Sequence, residues 1–403
     1  MMKKAIAILA LFFLGFTISS SAQDTVKEEK ADSGYVFKEV IKLPATSVKS
    51  QNRSGTCWSY STISFLESEL LRTGKDTFDL SEMFIVYYTY SDKAPLYVRY
   101  HGEHNFGGGG AAHDVTYVLE NYGMVPNEVY DGLVIGEDKP VHGEMDIVLK
   151  AYVDAIIKNR NRKITPVWHD GFNGVLDAYL GEIPEAFTYD GVEYTPESFR
   201  DMLGLNPDDY VEIASFNHHP FYEKFILEVP DNWLMDEVYN VPMDEMMEIL
   251  DTSLKEGYTV VWGSDISEKG FSWKNGVAIV PDKEAPELAG LEQAKWEKMT
   301  DKEKEKLLYK FNGPVPEKMI TQEMRQEEFD NYKTTDDHGM HIIGMAKDQN
   351  GNTYYIVKNS WGVGTQKYDG YFYASKPFVE LKTMDLMVHK DAIPKHLRKK
   401  LGL

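Results

Sequence analysis

One cysteine, Cys57, is present among 403 residues, so an intrachain disulfide cannot form and a Cys-based metal knuckle cannot be built. Positive charge is also scarce. The 43 Lys and Arg face 64 Asp and Glu, a formal net charge of −21. Such an acidic surface repels phosphate backbones, and no dense basic stretch precedes the C-terminal segment from Lys395, so nucleic acid is excluded as the expected partner. Past the N-terminus no apolar run approaches spanning length, and internal repeats and low-complexity linkers are missing. What is there reads as globular: 42% hydrophobic, 27% charged and 13% aromatic residues exclude a disordered chain, a collagen-like chain and a coiled coil. The length suffices for one large domain or two ordinary ones.

Residues 1–22 read as a targeting segment. Lys3 and Lys4 are followed by the apolar run Ala5 to Ile18, and Ser20, Ser21 and Ala22 supply small side chains for a signal peptidase. The run is short of the roughly 20 residues of a membrane span, and no cysteine follows it to carry a lipid. The expectation is an exported protein, periplasmic or secreted, free of the membrane once the signal is removed. Residues 23–45 read as a polar N-terminal arm, too short for a large pro-domain. Export favours paired cysteines, and a lone one is ordinarily a buried, inert small hydrophobe. The residues around Cys57 argue otherwise.

Trp58, Thr62, Phe65 and Glu69, with Ile63, Leu66 and Leu70, give a helical period from Thr56 to Arg72. A glycine-rich loop, Phe106 to Ala112, leads into a second helix near Asp114–Tyr122, and Met243–Glu256 is a third. Residues 130–235 alternate short helical and irregular patterns, with turn signals at Tyr189-Asp190-Gly191 and Asn206-Pro207-Asp208. Residues 283–330 are charged and helix-prone, as expected of a solvated insertion. Strand patterns cover Tyr258–Trp262, His338–Lys347, Tyr354–Lys358 and Gly370–Ala374, with Gln349-Asn350-Gly351-Asn352 as a turn. The fold class is therefore α+β, with a helical half over 46–240 and a β-rich half over 241–403.

Cys57 opens its helix, so its sulfur faces unpaired backbone N–H groups and the positive end of the helix dipole, both of which favour thiolate. Gln51, upstream, offers an amide that with the Cys57 N–H makes an oxyanion hole. His338 opens one strand and Asn359 ends another, so a hairpin can set the Asn359 amide oxygen against the imidazole and fix its tautomer. Each residue alone has an ordinary structural reading; together, in this order, they describe an activated thiol.

These residues resemble the papain family of cysteine peptidases: Gln51, Cys57-Trp58, Asp337-His338 and Asn359-Ser360-Trp361-Gly362, with Leu80-Ser81-Glu82 and Asn105–Gly110 as further landmarks. Within it, the long insertion after the Cys57 helix, the helix-to-strand lead over Met246–Gly263 and the approach from Met319 to Met340 resemble the bleomycin hydrolase, or aminopeptidase C, branch. The resemblance implies a papain-like fold with a cleft between the halves. It assigns Cys57 as nucleophile, His338 as general base and acid, Asn359 as orienter and Gln51 as oxyanion donor. Trp361 would shield the Asn359–His338 bond, Trp58 would support the site, and Gly108 and Gly109 would form a wall for substrate. It also implies peptide substrates, hydrolysis from a free N-terminus, no cofactor or metal, and possible assembly as a homo-hexamer. His341 should point away from His338 by strand alternation and act structurally.

Two departures stand out. Members of the branch are usually cytoplasmic, and they extend a C-terminal arm whose carboxylate captures the substrate amine. Here the chain reads Lys400-Leu401-Gly402-Leu403 soon after Ile393-Pro394, a shortened arm, which leaves an endopeptidase as the alternative. Rival readings are weaker. Transglutaminases and small Cys/His cell-wall peptidases lack the Gln51–Cys57 spacing and the Asn-Ser-Trp-Gly ending. A papain-like scaffold kept only for binding has no reason to retain all four residues. His101 with His104, and the His218-His219 pair, lack a third ligand at a recognisable spacing. Replacing Cys57 with Ala or Ser is expected to abolish peptide hydrolysis with an unchanged circular dichroism spectrum. Asn359→Ala should slow turnover less than His338→Ala, because Asn359 orients while His338 carries protons; equal losses in folded variants would contradict that ranking.

Overall fold

A computed structural model describes residues 34–161, 163–283 and 295–403. The signal segment 1–22, the arm up to residue 33 and part of the 283–330 insertion lie outside the described residues. The first half is built of helices α1 (Cys57–Arg72), α2 (Glu82–Arg99), α3 (Ala112–Tyr122), α4 (Gly143–Ile157), α5 (Val167–Leu180) and α6 (Pro196–Leu203). Ahead of it runs strand β1 (Phe37–Lys42), and before α6 a hairpin of β2 (Phe187–Tyr189) and β3 (Val192–Tyr194). The turn Asp190-Gly191 has both residues at positive φ, 48° and 78°, the requirement of a tight two-residue hairpin.

Helix α1 is buried on every side from Trp58 to Leu70, not along one face as its period suggested. Its apolar side packs with Phe84, Val115, Leu119 and their neighbours in the helical core. Its other side carries small hydroxyls that let the sheet approach. Ser64 Oγ lies 2.9 Å from His341 Nδ1 across that gap, while Ser59 Oγ donates to Glu82 O of α2 at 3.0 Å. His341 is fully buried and ties the sheet to α1.

The second half starts with β4 (Tyr210–Ala214), β5 (Lys224–Ile226), β6 (Glu237–Asn240), α7 (Met243–Lys255), β7 (Val260–Ser264), β8 (Phe271–Ser272) and β9 (Val277–Ala278). After α8 (Asp301–Leu308) and α9 (Gln322–Asp330) come β10 (His338–Asp348), β11 (Thr353–Lys358), β12 (Tyr371–Ser375), α10 (Lys376–Lys382), β13 (Thr383–His389) and α11 (Lys395–Leu401). Among the described residues the strands make an 11-stranded sheet in the order β5-β6-β4-β13-β7-β10-β11-β12-β9-β8, with β1 also on β10.

Two boundaries differ from expectation. Strands β4 to β6 belong to the sheet, although they precede residue 240, because β4 pairs antiparallel with the late strand β13 (Leu386 opposite Ile213). The supposed arm also contributes a strand, since β1 pairs with β10. In both cases the partner is remote in sequence, so no local pattern announces the pairing.

The β10–β11 hairpin positions the chemistry. Its turn is fastened by Asp348, whose Oδ1 accepts from Asn350 N and Asn352 N at 2.9 Å each. Antiparallel pairing sets His341 opposite Lys358, so Asn359, the next residue, returns to the start of β10 beside His338. Below the sheet, Met246, Leu250 and Leu254 of α7 pack on Trp262, Met340 and Val357.

The charged insertion is only partly solvated. Helix α8 buries Leu308 alone, but α9 buries Arg325, whose guanidinium donates to Glu380 O at 2.7 Å, Thr383 O at 2.8 Å and Ser215 O at 3.2 Å. Arg325→Ala would strand these carbonyls in the interior, a cost of about 3 kcal/mol. Urea unfolding should show that loss, and a change below about 1 kcal/mol would contradict the structural role given to α9.

Candidate active site

Thr56 gives α1 no side-chain cap, so the first-turn N–H groups stay available at the cleft. Cys57 is half-buried there, and the N–H groups of Trp58 and Gly339 donate to its sulfur. The second donor comes from the residue after His338, which places the two halves of the constellation side by side. Gly339 makes this possible: a Cβ there would lie 3.0 Å from Trp58 Cα and 2.9 Å from Ser61 Oγ, so any larger residue would push β10 off the helix. Cys57, His338 and Gln51 line one cavity of about 270 Å³, together with Trp58 and Gly109.

The orientation of His338 is fixed by hydrogen bonding. Asn359 Oδ1 accepts from Ser360 N at 2.7 Å, which identifies that atom as the amide oxygen, and it lies 2.7 Å from His338 Nε2. Nε2 therefore carries the proton, and Nδ1 is left with a free lone pair. Asn359 is buried behind the ring and does not line the cavity. The Trp361 ring sits 5.1 Å from that of His338 and is itself packed by Trp273 at 5.0 Å and Phe271 at 6.0 Å. Water is thus kept from the His338–Asn359 bond.

Gln51 is held by the same strand end. Ser360 Oγ donates to Gln51 Oε1 at 2.6 Å, and Gln51 Nε2 donates to Ser54 O at 2.8 Å, leaving its second N–H. Ser360, which sequence reasoning used only as part of a motif, links the orienting amide to the oxyanion donor.

The glycine loop divides between two tasks. Gly108 does not line the cavity, contrary to expectation; it packs against Gly55 and accepts from Trp58 Nε1 at 2.9 Å. Gly109 does line it, and a Cβ there would meet the Asp231 carboxylate. Buried Lys93 clamps the loop from behind, donating to Gly107 O at 3.1 Å and Gly109 O at 2.5 Å.

Electrostatically the cleft differs from expectation. Burial pushes the Cys57 thiol up to about 11, outweighing the two N–H donors, and the charges of Asp231 and Asp337 add to the rise. Burial also lowers His338, although its bond to Asn359 and the charge of Asp337 partly offset this. Burial thus works against the ionised form of both members of the unliganded pair. The open Nδ1 of His338 is the acceptor through which a thiolate can be made.

Sequence reasoning missed the acidic lining. Glu212, Asp231, Asp336 and Asp385 all face this cavity, and only the Asp336-Asp337 doublet before His338 was a visible signal. The other histidines are engaged elsewhere. His104 Nε2 lies 2.8 Å from Trp233 O. His218 and His219 bracket Glu228 at 2.9 and 2.8 Å, the third group that their spacing did not reveal. Gln326 Oε1 accepts from Asn217 N, so Gln326 Nε2 faces His218 Nδ1 at 3.0 Å and forces the proton onto His218 Nε2. That nitrogen is a donor to Glu228, not a free metal ligand.

Comparison with known proteins agrees with this architecture. PepW from Lactobacillus rhamnosis superposes with a TM-score of 0.66 at 18% identity, over 91% of this chain and 84% of that one. The fold is papain-like, and the chain is similar to proteins of the aminopeptidase C branch. The Peptidase C1-like family model matches residues 305–402, the stretch that holds His338 and Asn359. Aminopeptidase C of Streptococcus thermophilus is 21% identical over 91% of this chain and 84% of its own length. Aminopeptidase C of Listeria monocytogenes is 22% identical over 88% and 83%. The low identities put the weight on the papain-like fold.

The lowered His338 sets a pH limit. Protonating Nδ1 removes the acceptor, and because burial disfavours that proton, the acid limb of kcat/KM should fall below the ordinary imidazole value of 6.5. A pH–rate profile with its acid midpoint at or above that value would contradict the assignment of His338.

Proposed function

We propose that this papain-like chain is an exported cysteine aminopeptidase, removing residues from the free N-terminus of peptides through a thioester on Cys57. The observation that carries the reading is the single cavity lined by Cys57, His338 and Gln51, with His338 Nε2 pinned to Asn359. His338 Nδ1 takes the thiol proton as sulfur attacks the carbonyl carbon. The tetrahedral oxyanion receives the Cys57 backbone N–H and the free Gln51 N–H, donors worth about 3–4 kcal/mol each in comparable sites. The C–N bond then breaks, and His338 returns the proton to the leaving amine. Water, deprotonated by the same nitrogen, hydrolyses the thioester and releases the acid and the thiol.

Export is supported by Lys3, Lys4 and the apolar run Ala5 to Ile18. Assembly as a hexamer rests on the resemblance to the branch. The second reading is an endopeptidase of the same fold, which the open space beside Cys57 among the described residues also accommodates.

The test compares matched fluorogenic peptides, free and acetyl-blocked at the N-terminus, with purified protein under reducing conditions beside the Cys57→Ala variant. Cleavage of the free peptide alone is the expected result. Cleavage of both moves the reading to an endopeptidase, and no Cys57-dependent cleavage of either leaves a binding scaffold.

A further inference from the structure

The cavity that holds Cys57 contains more negative charge than its chemistry requires. Five carboxylates line it: Glu212, Asp231, Asp336, Asp337 and Asp385. Four have partners that account for them. Glu212 accepts from both His113 N and His113 Nδ1 at 2.9 Å. Asp337 accepts from Ile266 N at 2.9 Å and Ser267 N at 3.1 Å. Asp231 holds Asn105 Nδ2 at 3.0 Å, and Asp385 takes the N–H of Gly263. Asp336 has neither a hydrogen bond nor an ion pair among the described residues, and its nearest charged neighbours, Asp385, Asp231 and Asp337, are all acids. Two positive groups lie close to the cavity, and both are committed: Lys93 to the carbonyls behind the glycine loop and His113 to Glu212.

Asp336 is half-buried on the cavity wall with no donor beside it among the described residues, so none of them opposes its charge. Electrostatics runs the same way: loss of water and the neighbouring acids push Asp336 above the usual carboxylate range, and burial with the charge of Glu212 raises Asp385 to about 7. A carboxylate so placed is met most favourably by a cation that enters the cavity. His113 takes no part in this, since its Nδ1 faces Glu212 and its Nε2 lies 3.8 Å from Asp114 Oδ1.

We propose that Asp336, backed by Asp385, is the specificity-determining group of the cleft, binding a substrate ammonium or guanidinium beside the bond that Cys57 attacks. The cation is either the α-ammonium of the substrate's first residue or a Lys or Arg side chain. The proposal rests on the reading of the cleft as a peptidase site, and it names what that site selects.

The experiment measures kcat/KM on isosteric pairs: free against acetylated N-terminus with neutral side chains, and acetylated peptides with Lys against norleucine at the residue preceding the one at the scissile bond. Wild-type protein should prefer the charged member of one pair by about tenfold or more, the scale of a desolvated charge contact. Which pair shows the preference identifies the source of the cation. Asp336→Asn should collapse that ratio, chiefly through KM, and Asp385→Asn should reduce it; either variant alone suffices if the other fails to fold. Equal rates on both members of both pairs in wild type, or a ratio untouched in the folded Asp336→Asn variant, would overturn the proposal. If no Cys57-dependent hydrolysis exists at all, the peptidase reading has failed instead. The pocket is then tested by calorimetry of lysine amide and alanine amide on Cys57→Ala protein, where binding lost in Cys57→Ala/Asp336→Asn supports the cation site and absent binding sinks it.

Discussion

The N-terminus of α1 lies against Gly339 of β10 with no room for a side chain between them, and the rest of the site depends on that contact. A helix ordinarily stands about 10 Å from a packed sheet because side chains intervene. Here a glycine on the strand and small hydroxyls on the helix close the gap locally. The Cys57 sulfur can then accept an N–H from the strand that carries His338. The nucleophile and its base come from positions remote in sequence, so their registry is set by this steric fit and not by chain connectivity. The cost is a helix buried on all sides, in which Ser59, Ser61 and Ser64 find partners among the described residues while Thr62 and Ser68 do not.

A short network carries the registry into chemistry. Ser360 reads the Asn359 amide with its backbone and holds Gln51 with its hydroxyl, and its carbonyl accepts from Gln51 N at 2.8 Å. Base orientation and oxyanion donor are therefore fixed by one strand end, and Trp361 closes it from water. Preorganisation of this kind matters because burial works against ionisation of both Cys57 and His338. A nucleophile whose burial opposes its ionisation depends on a correctly aimed acceptor nitrogen.

The acid-rich cleft strengthens this opposition. Asp231 and Asp337 raise the thiol further, so negative charge near Cys57 opposes the thiolate in the empty protein. A cationic group lodged on Asp336 would remove part of that opposition as substrate binds, so recognition and activation are coupled electrostatically through the same cavity.

The sequence by itself determined the residue types of the site and the elements bearing them. Cys57 at a helix start, His338 at a strand start, Asn359 at a strand end and Gln51 upstream were readable because each sits where a local period begins or stops. The α+β class, the strands β10 and β11 and the Asn350-Gly351 turn followed from short-range pattern for the same reason. Only the tertiary structure decided the pairing of β4 with β13 and of β1 with β10, since sheet partners distant in sequence leave no local trace. It also moved Gly108 from the substrate wall to a brace under Trp58, and set burial against the thiolate that the helix start favours. Both outcomes depend on burial, which is a property of everything packed around a residue. The gathering of Glu212, Asp231, Asp336 and Asp385 on one cavity belongs to the same class: four acids far apart in an acidic sequence look like unrelated surface charges until the fold brings them together.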